Sequence, residues 1–129
     1  MKEKDKRVEL RLPAKEKDQL EQIYGDIAPG EKVSGANFAF LDEGNPVGFM
    51  RVKIDQGILV DAVRFLPNVE IGDKLFFIHA MFYKFGLGAP TEIRFKGEHK
   101  ELRLYGFTYE DGYTRAITTQ INLHGYCNG

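Results

Sequence analysis

Tryptophan is absent from the 129 residues, and a single cysteine, Cys127, stands near the C-terminus. One thiol closes no internal disulfide and cannot supply the thiolate ligands of a structural zinc site, so disulfide-stapled and zinc-ribbon scaffolds are excluded. Neither sign of charge is in excess: 18 Lys and Arg stand against 19 Asp and Glu, for a net charge of −1. A dedicated nucleic-acid binder would carry a basic surplus, so no nucleic acid is expected as a partner. No apolar run is long enough to cross a bilayer: the longest helical one, LFFIHAMFYKF (75–85), contains His79 and Lys84. The opening MKEKDKR leads into no signal-like apolar stretch. The expectation is a reduced, cytoplasmic protein that does not engage membranes.

What the chain has is aromatic bulk. Ten Phe and six Tyr, within a hydrophobic fraction of 43%, supply a core for one compact domain spanning residues 1–129. RVELRL (7–12) alternates apolar and charged residues with the two-residue period of a half-buried strand. AKEKDQLEQIYG (14–25) reads as a polar helix whose apolar side is Leu20, Ile23, Tyr24 and Ile27, and DIAPGEKVSG as a loop. GANFAFL, PVGFMRVKI and ILVDAVRFL, divided by DEGN and DQG, read as a three-strand antiparallel meander. Ile71, Leu75, Ile78, Phe82 and Phe85 form one continuous helical stripe, ended by Gly86 and Gly88. TEIRFKG is a further strand, GEHKELRLYGF contains a short helix, and YTRAITTQINL is a last strand rich in β-branched residues. The order is β-α-βββ-α-β-α-β. This is a mixed α/β domain, expected to have one layer of sheet with helices on both faces and a parallel crossover around the long helix.

Two places invite a chemical reading. In PNVEIGDKLFF (67–77), a tight turn runs into a helix N-terminus, where unpaired N–H groups can cradle phosphate. Glu70 and Asp73 oppose a bound anion there, and Asp73 can equally serve as a helix cap. Asp61 lies in an otherwise apolar strand, where alternation puts it on one face with Val63 and Phe65 and burial would raise its pKa. Alternatively, it pairs with Arg51, Arg64 or Arg94. His79, His99 and His124 form no i, i+4 pair and have no acidic companion at ligand spacing, so each reads as structural or solvated and no metal is expected. Cys127 would become nucleophilic only with a base such as His124 beside it.

The element order, the segment FLPNVEIGDKLF and the segment HKELRLYGFTYEDGY together resemble the GNAT superfamily of acyl-CoA-dependent N-acyltransferases. In topology the resemblance spans nearly the whole chain, but few residues carry it. In the first segment the family wraps a diphosphate with [QR]-x-x-G-x-[GA]. Here Asn68, Val69 and Glu70 replace the [QR] position, the loop is about two residues short and one glycine is missing. The resemblance implies acetyl-CoA (or another acyl-CoA) as cofactor, held by the main chain at Ile71, Gly72, Asp73 and Lys74. The thioester carbonyl would be held by the amide of Phe65 or its neighbour. It also implies a general base, for which Asp61 is the candidate, and a tyrosine that protonates the leaving thiolate. The family's tyrosine position falls on Leu102, and Tyr105 is the nearest phenol. Otherwise Tyr105 packs as a core ring.

The implied activity is transfer of an acetyl group to an unidentified small-molecule or peptide amine, with the loop Ala28–Gly35 as an acceptor lid. The competing expectation is a catalytically inactive GNAT-like domain that senses a ligand or binds a protein. A third is a homodimer joined through an exposed edge at ITTQINL.

Overall fold

A computed structural model describes residues 5–85 and 90–121. Seven strands form one open sheet in the order β1-β2-β3-β4-β5-β7-β6. β1 (Lys6–Arg11) leads into α1 (Pro13–Ile27), followed by the meander β2 (Ala36–Asp42), β3 (Asn45–Ile54) and β4 (Ile58–Phe65). Next come α2 (Ile71–Lys84), β5 (Glu92–Lys96), a 3-10 helix (Lys100–Tyr105) and the hairpin β6 (Thr108–Glu110) and β7 (Tyr113–Ile117). All pairings are antiparallel except β4 with β5.

The helices divide the core in two. Leu20, Ile23 and Tyr24 of α1 pack on Ala39, Leu41 and Phe49 of the sheet. Phe77, Ile78, Met81 and Phe82 of α2 cover Phe40, Met50, Val60 and Phe95 on the opposite face, with Leu102, Tyr105 and Phe107 sealing that side. The mixed α/β class, the single sheet and the helices on both faces are as expected.

Two sequence expectations are corrected. Thr108–Glu110 is a strand, because Asp111 (φ 54°) and Gly112 (φ 85°) both adopt left-handed backbone and fold a two-residue hairpin. The last strand stops at Ile117, and Thr118–Gln120 is a 3-10 turn. β7 therefore lies between β5 and β6 and is no sheet edge, so ITTQINL offers no free strand over its described residues. α1 runs to Ile27, two residues past Gly25, and closes with the Ala28 N–H bonded to the Tyr24 carbonyl at 2.7 Å. The predicted helix stop at Gly86 and Gly88 and the residues His124 and Cys127 lie outside the described residues.

Candidate functional site

β4 and β5 are joined at one end only. Ile58, Leu59 and Val60 pair with Ile93, Arg94 and Phe95, and no pair follows, although β4 runs on to Phe65. The closed end is tight: Gly57 has φ 115°, and a Cβ there would lie 2.6 Å from the Glu92 carbonyl oxygen. At the open end the last five residues of β4 are bonded only to β3, so alternate peptide groups along 61–65 face a gap. A cleft of about 270 Å³ fills that gap, lined by Val63 and Phe65 of β4, Ile71, Lys74 and Ile78 of α2, and His99 across from them.

The meander sets the orientation of β4 through a bulge. Arg51 faces Ala62 and Val52 faces Val60, leaving Asp61 without a partner in β3. The extra residue inverts the alternation. Ile58 and Val60, and then Val63 and Phe65, all pack toward α2. Asp61 instead turns to the α1 face, so the expected sharing of a face with Val63 and Phe65 is corrected. There it meets Arg51 at 2.6 Å and Lys53 at 2.9 Å. Burial pushes its carboxyl upward, but hydrogen bonds from Arg51 and Lys53 outweigh burial, and the pKa is lowered, not raised.

Arg51 links a wider polar cluster. Its Nη1 lies 3.5 Å from the Tyr24 hydroxyl, which donates to Asn37 Oδ1, and 3.4 Å from the Lys32 carbonyl. Glu31 accepts from Arg64 Nη2 at 2.7 Å and Nε at 3.0 Å. Asn37 Nδ2 donates to the Ser34 and Gly35 carbonyls. The loop Ala28–Gly35, expected as a lid, is thus tied to the sheet at four of its residues. Beside it, Tyr24, Gly30 and Glu31 border a second cavity of about 510 Å³ against α1.

At the loop ahead of α2, the Val69 N–H closes a turn onto the Leu66 carbonyl at 3.2 Å, and the first α2 bond runs from the Lys74 N–H to Glu70. Glu70 is the N-cap and makes no side-chain cap bond. Asp73 does not cap either; it faces Lys6 of β1 at 3.6 Å. The N–H groups of Ile71, Gly72 and Asp73 are thus the unpaired donors of a helix start. Gly72 is helical and a Cβ there would meet nothing within 4 Å, so the glycine leaves the approach open and is not needed for the turn. Carboxylates and cation fall on different sides. Glu70 and Asp73 border a separate hollow with Asp42, whereas Lys74 lines the cleft and lies 5.8 Å from the Phe65 ring centroid.

Tyr105 is fully buried, its ring edge-on to Phe82 at 5.1 Å and to His79 at 5.7 Å. Leu102 is also fully buried. Neither lines the cleft. The side chains that do come to it from this region are His99, expected from the sequence as structural or solvated, and Glu101; only their position just after β5, opposite the free end of β4, marks them out. Among the described residues, no helix is long and apolar enough to cross a membrane. The chain matches no protein-family model, and no curated protein is similar to it in sequence.

Proposed function

We propose that the chain is a GNAT-like, acyl-CoA-dependent N-acyltransferase that moves an acetyl group from acetyl-CoA to an amine. The observation that carries this reading is the parting of β4 from β5 directly beside the uncapped start of α2. The gap presents a bare strand edge, and an extended arm bearing amide groups can add to it as a further strand would. The adjoining N–H groups of Ile71, Gly72 and Asp73, with Lys74 on the same side, suit a diphosphate. A thioester and a diphosphate joined by an amide-bearing arm is the composition of acyl-CoA, and the thioester supplies an activated acyl carbon. An N–H on the free edge of β4, at Phe65 or its neighbour, can polarise the acyl carbonyl. Phe65 and Ile78 exclude water from the arm, and the lowered pKa of Asp61 makes that carboxylate a poor general base.

Thermal melting in the presence of acetyl-CoA tests the binding step. A ligand held at 100 times its Kd stabilises the native state by about 2.7 kcal/mol, a rise of a few degrees. An unchanged melting temperature at millimolar acetyl-CoA would remove the cofactor and the reading with it.

A second reading, a GNAT-like domain that binds its ligand without turning it over, is favoured by one pair of facts. Asp61 is held by two cations, and Tyr105 is sealed in the core. Stabilisation by acetyl-CoA with no release of CoA thiol in the presence of lysine, spermidine or glycinamide would select it.

A further inference from the structure

We propose that His99, held by Glu101, is the acid that protonates the departing CoA thiolate; this rests on the acyltransferase reading above. The imidazole is fixed at both nitrogens. Its Nε2 lies 3.0 Å from the Lys96 carbonyl oxygen, which can only accept, so Nε2 carries a proton. That leaves Nδ1 as the functional nitrogen, 3.5 Å from Glu101 Oε1. In the imidazolium form the Nδ1 proton is shared with the carboxylate and can be given away.

The backbone holds the ring in place. Thr114, 2% exposed, accepts from the His99 N–H at 2.9 Å and donates to the Gly97 carbonyl at 2.8 Å. The ring leans on Phe95 at 5.6 Å, and its side chain is 23% exposed. This places the imidazole on the β5 side of the gap, facing Val63 and Phe65 of β4 across the cleft. The charged groups bordering it are Glu101 on its own helix, Lys74 from α2 and Arg64 from β4. Arg64 is neutralised by Glu31, and the adjacent Glu98 turns away to Arg103 at 3.6 Å. Glu101 is therefore the carboxylate that acts on the ring.

The step balances without further reactants. The amine nitrogen bonds to the acyl carbon as the carbon–sulfur bond breaks, and the sulfur takes the Nδ1 proton. The surplus proton of the amine passes to water, from which the partly exposed His99–Glu101 pair is recharged.

The test reads the thiol directly and needs no acceptor. CoA is bound to the full chain, and the ionisation of its thiol is followed by the ultraviolet absorbance of the thiolate. An adjacent imidazolium lowers a thiol pKa, so the bound thiol is expected to be about tenfold or more stronger an acid than free CoA, one pKa unit. In H99Q the advantage should vanish, and in E101Q it should shrink, each read at CoA concentrations that saturate the variant. Should H99Q not fold, the E101Q titration and the change in the native His99 ring NMR signals on adding CoA report the same contact. A bound thiol no more acidic than free CoA, or one equally acidic in the variants, overturns the assignment but leaves the acyltransferase reading standing. Failure of CoA to bind the native chain would fell both.

Discussion

Phe65 lies directly over Gly48: a Cβ on the glycine would sit 2.5 Å from the ring and 2.7 Å from the Arg64 carbonyl oxygen. The pair is in register across β3 and β4, so the missing side chain is what lets the ring bend over the strand onto Phe40 and Phe77. Gly48→Ala should therefore overpack the sheet and cost about 1–3 kcal/mol. Chemical denaturation measures it. Because the ring also walls the cleft, the stabilisation that the proposed reading expects from acetyl-CoA should fall together with the midpoint.

Asp61→Asn separates structure from catalysis. The carboxylate bridges Arg51 and Lys53, and losing charged hydrogen bonds of this kind costs about 1.5–3 kcal/mol. Its pKa is lowered in the fold, so the stabilisation is present above the unfolded value near 3.8 and is lost as pH falls through the lower folded value. Melting curves of wild type and variant should differ at neutral pH and converge below about pH 4. On the proposed acyltransferase reading, turnover measured under conditions where both are folded should be the same in the variant.

His79 is expected to titrate in the opposite part of the scale. Burial lowers its pKa, so the neutral ring is the folded form and the unfolded chain takes up the proton first. Stability should be complete above the unfolded value of about 6.5 and decline as the pH drops from there toward the folded pKa. In His79→Gln the fall in melting temperature between neutral pH and pH 5 should be smaller.

Tyr24→Phe removes the hydroxyl that joins α1 to the Asn37 and Arg51 side chains. The ring stack on Phe49, at 4.4 Å, is kept. Leaving the buried Asn37 oxygen without that donor should cost about 1–3 kcal/mol. The loop at Glu31 and Lys32 should become more accessible to proteolysis, which a limited digest would show.

Periodicity carried most of the fold because both helices and the meander bury one face, and burial of one face imposes a period. What periodicity could not carry was the phase shift in β4. One unpaired residue, Asp61, inverts every later side chain, and nothing in ILVDAVRF announces which residue the bulge takes. The short strand Thr108–Glu110 was legible in principle, since Asp111-Gly112 is a hairpin turn. The candidate site divided in the same way. The loop 67–74 drew a reading because its signature is local, whereas His99 reaches the cleft only through a strand pairing that stops early. Tyr105 was drawn from a motif whose helix is here a six-residue 3-10 turn, and that turn points the phenol inward.

Among the described residues, the backbone pairing between the first four strands and the last three is confined to residues 58 to 60 of β4. The seam thus works as a zip with a stop at Gly57. Amides along residues 61–65 should trade protons with solvent sooner than those of 58–60, and anything that fills the opening should slow them first.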